Sequence, residues 1–174
     1  MRDTLITGRL TLRPPVAEDA DALTAAINDW EVVRWLSVVP YPYTREDAVW
    51  FLGECVAGRE DSLAICDADG LCGMIGTTET GLGYWLARRV WGRGYAAEAA
   101  RAVLGAYFAD RANDAIQSGY FIENERSGAV LRKVGFVDVG AKTLPCRAQG
   151  RDMASRDMLL TRERWEALQH GDQD

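Results

Sequence analysis

The sequence has little of what most often carries catalysis. Its single histidine, His170, sits close to the last residue, which excludes a histidine-based triad or a multi-histidine metal site, and no metal is expected. Its four cysteines, Cys55, Cys66, Cys72 and Cys146, show no CxxC spacing and read as buried or incidental thiols of a reducing compartment. Only Cys66 and Cys72 could face each other across a hairpin. No apolar run approaches membrane-spanning length, and the opening MRDTLITGRL lacks the apolar core of a signal peptide, so a cytoplasmic address without membrane contact is expected. A broad basic face is missing too: the net charge of −6 argues against a general nucleic-acid binder. Repeats, linkers and low-complexity stretches are absent.

What is present is ordinary for a soluble globular chain, with 48% hydrophobic and 26% charged residues over 174 positions. One domain spanning residues 1–174 is expected, as a monomer or homodimer. The chain is organised around Gly83 to Arg101, GYWLARRVWGRGYAAEAAR. An aromatic-rich apolar run, Tyr84-Trp85-Leu86, predicts a buried strand. A loop with Gly92 and Gly94 follows, and strong helix formers begin at Tyr95. A strand feeding a glycine loop at a helix start aims free backbone N–H groups at one point, where the helix dipole adds partial positive charge. That is an anion site, most often for phosphate. Charge agrees: Arg88, Arg89, Arg93 and Arg101 face one acid, Glu98, in a chain that is acidic as a whole.

Two motifs fit this loop. Gly92-Arg93-Gly94-Tyr95-Ala96-Ala97 satisfies the dinucleotide pattern GxGxxG/A, with Asp114 near the distance of a ribose-binding acid. Arg89-Val90-Trp91-Gly92-Arg93-Gly94 fits (Q/R)xxGx(G/A), which resembles the pyrophosphate loop of the GNAT superfamily of acyl-CoA-dependent N-acyltransferases. The surrounding elements separate the two. Thr7 to Pro14 reads as a half-buried strand. A helix follows from Glu18 to Trp30, and a second begins at the capping-box-like pair Thr44 and Asp47. Leu63 to Cys66 and Leu71 to Thr78 predict a hairpin turning at Asp69-Gly70, leading into the Tyr84 strand. Short turns force antiparallel neighbours, so the glycine loop follows a meander rather than the first strand of a βαβ series, against a dinucleotide-dependent oxidoreductase. A helix from Tyr95 to Ala109, a strand from Ala115 to Ile122 parallel to the Tyr84 strand, and a short helix from Asn124 to Gly135 come next. The last strands are Phe136 to Ala141 and Ser155 to Thr161, separated by a long polar hairpin, before a terminal turn or helix carrying Trp165.

Three motifs in register carry a wider resemblance. Thr7-x-Arg9-Leu10-x-Leu12-Arg13, then GYWL with RVWGRGYAAEA, then Asn124-x-x-Ser127-x-x-Val130-x-x-Lys133-x-Gly135-Phe136 resemble the GNAT superfamily over nearly the whole chain, with the RimJ/RimL-like group, associated with acetylation of ribosomal-protein N-termini, as the nearest branch. The resemblance implies an α/β fold with a mixed, mostly antiparallel central sheet flanked by helices, whose central parallel strands splay apart to hold acetyl-CoA as co-substrate. It implies that backbone N–H groups from Arg89 through Gly94 grip the pyrophosphate, with Arg88, Arg93, Tyr95 and Ala96 alongside, and that Trp85 and Leu86 meet the pantetheine arm and thioester. Asn124 would contact the pantetheine and Ser127 would sit near the sulfur.

The chemistry then demanded is acetyl transfer to a primary amine, on a protein N-terminus or a small molecule, by direct attack in a ternary complex. With no histidine available, the base must be a carboxylate or water, and Glu79 is the first candidate with Glu123 second. Ser127 or a water would assist the leaving thiolate, because no tyrosine is evident beside the later helix. Trp35, Tyr41 and Tyr43, with the hairpin from Thr143 to Met153, are expected to line the acceptor pocket. The remaining alternative is a non-catalytic acyl-CoA-binding module on the same fold.

Overall fold

Neighbouring residues along residues 62–86 point into two different cores. Leu63, Ile65, Ile75 and Leu86 belong to one buried cluster, whereas Ala64 and Met74 belong to another, against which Cys66 and Trp85 pack. Strands that are apolar on both sides must be covered on both faces. The computed structural model describes residues 3–78 and 80–171. Its strands are β1 (Leu5–Ile6), β2 (Thr11–Arg13), β3 (Ser62–Asp67), β4 (Gly70–Thr78), β5 (Gly81–Leu86), β6 (Ala115–Phe121), β7 (Val137–Cys146) and β8 (Arg151–Thr161). They form one sheet in the order β1-β2-β3-β4-β5-β6-β8-β7. The helices are α1 (Ala20–Ile27), α2 (Trp30–Val33), α3 (Arg45–Val56), α4 (Tyr95–Ala109), α5 (Glu125–Lys133) and α6 (Arg162–Gly171). Helix α4 covers one face through Ala99, Ala100, Val103 and Leu104, and α1 with α3 covers the other through Leu23, Ile27, Ala48 and Leu52.

Every strand pair is antiparallel except β5 with β6, which is parallel and touches at one register position, Leu82 opposite Ser118. The Ser118 hydroxyl donates to the Leu82 carbonyl at 2.8 Å, closing the seam there. Just before it the strands crowd: a Cβ on Gly81 would collide with the Gln117 carbonyl, so only glycine permits this approach. Beyond Leu82 and Ser118 the strands diverge, β5 remaining paired to β4 through Leu86 and β6 to β8 through Phe121. The facing main-chain edges of residues 83–86 and 119–121 therefore have no strand partner.

The sequence reading errs in three places. The helix expected from Glu18 to Trp30 breaks: α1 stops at Ile27 and α2 starts at Trp30, with the Asp29 side chain accepting from the Glu31 amide as its N-cap. Strand β1, two residues long, escaped notice. The late polar hairpin is mostly strand, since β7 runs to Cys146 and β8 starts at Arg151; Cys146 and Met153 are buried against Phe121. All four cysteines are free thiols.

The end of β2 is locked to the start of α1. Arg13 donates two hydrogen bonds to Asp19, at 2.8 and 2.7 Å, and the Val16 amide donates a third at 2.9 Å. Arg13's hydrogen bond is the main influence holding the Asp19 carboxyl below its ordinary value, outweighing burial. A depressed carboxylate contributes stability above its unfolded value of 3.8 and loses it as pH falls through the lower folded value. Asp19→Asn is expected to lower unfolding free energy at pH 7 by about 2 kcal/mol. Urea titrations should show the difference from wild type shrinking progressively below pH 3.8.

Candidate active site

The notch between β5 and β6 opens into a cavity of about 670 Å³. One wall is the head of α4. Ahead of it, a 3-10 turn at Arg88–Val90 uses the Val90 and Trp91 amides on the carbonyls of Ala87 and Arg88. Gly92 (φ 75°) and Gly94 (φ 79°) then carry the chain through left-handed backbone, strained for any other residue. The first helical bond runs from the Glu98 amide to the Gly94 carbonyl. Among the described residues, none accepts a hydrogen bond from the amides of residues 92–97. Six orphan donors at the positive end of a fifteen-residue helix form an anion cradle. A Cβ on Gly92 would meet no protein atom within 4 Å, so the space in front of it is open.

Arg9 braces the loop. Its guanidinium reaches Glu98 at 2.8 and 2.6 Å and donates to the Arg93 carbonyl at 2.8 Å, while its amide donates to Glu98 at 2.9 Å. Thr7 adds a hydroxyl bond to Glu98 at 2.6 Å. Burial is the largest single influence on the Glu98 carboxyl and acts to raise it, but the hydrogen bonds from Thr7 and Arg9 together hold it below its ordinary value. A shallow depression beside the loop is bordered by Arg9, Arg93, Arg101 and Lys133. Lys133 also lines the main cavity, so the cationic depression and the notch are continuous.

The opposite wall is α5. Asn124 is its N-cap by position, yet no side-chain cap bond forms, and its amide group faces the cavity without an internal partner among the described residues. Ser127, one turn on, shares a hydrogen bond of 3.0 Å between its hydroxyl and the Tyr84 hydroxyl. The Tyr84 hydroxyl also donates to the Ser127 carbonyl at 3.3 Å. Burial pushes the Tyr84 phenol up to about 12, with the Ser127 bond acting in the opposite direction. Arg126 lies over the Trp91 ring, 4.0 Å from its centroid, at the cavity's edge.

Of the residues singled out from sequence, Trp85, Leu86, Gly92, Gly94, Tyr95, Ala96, Asn124, Ser127 and Trp35 surround this one cavity, and Arg93 borders the depression next to it. Several others lie elsewhere. Arg89 is bound to Asp67 at 2.8 and 3.0 Å and clasps the β3–β4 turn, so its side chain points away from the cradle. Within the expected run from Arg89 through Gly94, the amides of Val90 and Trp91 close the 3-10 turn, so the continuous run of free amides begins at Gly92. Arg88 is exposed and stands 3.9 Å from Asp29. Tyr43 is buried in the core beneath α1 and α3, and Tyr41 lies on the surface against Trp30 at 5.3 Å. The Leu86 carbonyl already accepts from the Trp91 indole at 2.8 Å. Glu79 lies outside the described residues, and Glu123 is paired with Arg151 at 3.2 Å, away from the cavity. Tyr84, Arg9 and Lys133 were missed as site residues; the alternation in GYWL and the quoted motifs contained them, but their partners are distant in sequence.

The dinucleotide reading fails on topology. Asp114 precedes β6, so it sits by the C-terminal end of α4 while the glycine loop sits at the N-terminal end, roughly 22 Å away for a helix of this length. A mixed sheet with one splayed parallel pair, helices on both faces and an amide cradle at the notch defines the acyl-CoA N-acyltransferase class of α/β fold. A model of the acetyltransferase (GNAT) domain matches residues 9–137, and the chain belongs to this family. It is an acetyltransferase, and acetyl-CoA is its co-substrate. A curated relative from Bacillus licheniformis, an uncharacterized N-acetyltransferase p20, is 29% identical over 161 residues, covering 86% of this chain and 90% of that protein. Similar solved structures include spermidine N-acetyltransferase from Vibrio cholerae in complex with CoA and spermine (TM-score 0.76, 17% identity, 91% of this chain and 99% of that one). Another is the ribosomal-protein-S5-alanine acetyltransferase from Vibrio fischeri (TM-score 0.76, 18% identity, 94% and 98%). At these identities the likeness is one of fold.

Proposed function

We propose that this chain transfers the acetyl group of acetyl-CoA to a primary amine by direct attack in a ternary complex. The observation that carries the reading is the run of unpartnered amides from residue 92 to 97 opening onto the notch between β5 and β6. The cradle takes the pyrophosphate, and Arg93, Arg101 and Lys133 supply the neighbouring positive charge. Open main-chain groups on β5 between residues 83 and 86 hold the extended pantetheine as a strand would and polarise the thioester carbonyl. Asn124, with no partner of its own, is the polar contact from α5.

As the amine nitrogen bonds to the carbonyl carbon and the C–S bond breaks, the sulfur needs a proton and the nitrogen must lose one. Tyr84 is the donor we assign for the first, with Ser127 orienting the phenol through their 3.0 Å bond. The amine's proton leaves to water, because no carboxylate lines the cavity among the described residues. No covalent enzyme intermediate is required, and the thiols of Cys55 and Cys72, pushed up to about 12 and about 11 mainly by burial, make poor nucleophiles.

Calorimetry with CoA and with NADH, followed by thiol release from acetyl-CoA over an amine panel, tests the proposal. CoA binding with amine-dependent thiol release is expected. NADH binding without CoA binding overturns it, and CoA binding with no thiol release on any amine favours the non-catalytic binding module. Lys133→Ala and Arg101→Ala should each raise the acetyl-CoA KM roughly 3- to 10-fold, an effect that fades with added salt and leaves kcat nearly unchanged.

A further inference from the structure

The cavity does not end at the notch. It passes between the splayed strands to the opposite face of the sheet, where its walls come from α3, the segment after α2, and the far sides of β4 and β5. Leu36, Val39, Phe51, Met74 and Trp85 line this arm and pack with the core beneath α1 and α3, and Trp35 closes it beside Phe121. Its polar side chains are the hydroxyls of Ser37, Ser62 and Thr78, and no Asp or Glu lines it among the described residues. The two cationic side chains on the cavity wall, Arg126 and Lys133, belong to the α5 side.

Resting on the proposed acetyl transfer, we infer that the acceptor is a small monoamine with an aromatic or branched apolar body, rather than a polyamine. An apolar arm favours an apolar body by removing its surface from water. A second ammonium group there would be desolvated without a counter-charge, which is strongly unfavourable. The same surroundings act on the reacting nitrogen: a low-polarity site disfavours the ammonium form and lowers the amine's pKa. The arm thus helps generate the neutral nucleophile in a cavity that no carboxylate lines among the described residues.

The test is steady-state thiol release from acetyl-CoA by the wild-type protein with ethylamine, 2-phenylethylamine, tryptamine and spermidine. The aryl amines are expected to exceed ethylamine in kcat/KM by at least about tenfold, with spermidine no better than ethylamine. Phe51→Ala should lower the ratio of kcat/KM for 2-phenylethylamine to that for ethylamine by about tenfold. Spermidine as the preferred acceptor, or equal kcat/KM across the panel, overturns the inference and leaves the acetyl transfer standing. Absence of thiol release with all four amines overturns the inference, and the acetyl transfer is then decided separately by thiol release over the wider amine panel.

Discussion

Gly92→Glu is expected to weaken CoA binding at least about 100-fold, a loss of about 2.7 kcal/mol, while the protein stays folded. Two effects add. The new carboxylate would enter the open space before the cradle, where a Cβ meets no protein atom within 4 Å, and would both occupy and repel a diphosphate. The backbone at φ 75° also disfavours a side chain, which costs about 1–2 kcal/mol of folding stability. Calorimetry separates the two by measuring CoA affinity at a temperature well below the variant's melting point. Gly92→Ala is the control: it shares the strain, lacks the charge, and should lose far less affinity. An unchanged dissociation constant for Gly92→Glu would show that the phosphates bind somewhere other than the amides of residues 92–97.

Tyr84→Phe should lower kcat by roughly 100-fold and leave the acetyl-CoA KM within about 3-fold. The phenol is needed only as the thiolate leaves, so its loss belongs to the transition state rather than to binding. With its pKa pushed up to about 12 by burial, Tyr84 remains protonated across ordinary assay conditions and can act as an acid there. The sign for stability follows from the same shift. A folded value above the ordinary 10.0 means that the neutral phenol's contribution is complete below pH 10.0 and lost as pH rises through about 12. A loss of rate below pH 9 in the wild type would therefore come from another group. Ser127→Ala should reduce kcat by a smaller factor, about tenfold, because it frees the phenol without removing it. If Tyr84→Phe retained full kcat, the phenol would only be packing against α5, and water would be the proton source.

Much of this molecule was legible one segment at a time. The capping box at Thr44 and Asp47 forms as read, with the Asp47 amide donating to Thr44 at 3.2 Å and Asp47 accepting from the Thr44 amide at 2.9 Å. Helix α4 begins at Tyr95 and ends at Ala109, and the β3–β4 hairpin turns ahead of Gly70. These are local outcomes, fixed by neighbours a few residues apart. Residues with long side chains were read less well. Arg89 fits the phosphate-loop pattern by position, but its guanidinium meets Asp67, which is near only because the hairpin folds back. Tyr43 stands among prolines like an exposed pocket residue, yet α1 and α3 close over it.

The sequence by itself determined the order of most of the elements and the glycine loop at the head of α4, because period, caps and left-handed glycines are short-range properties. Tertiary structure alone decided which atoms surround the notch. It placed Tyr84 against Ser127 across 43 positions, tied Arg9 to Glu98 across 89, and carried an apolar arm through the sheet to Phe51. The physical reason is that direction and distance between remote side chains arise from how strands splay and helices pack, and no local pattern encodes them.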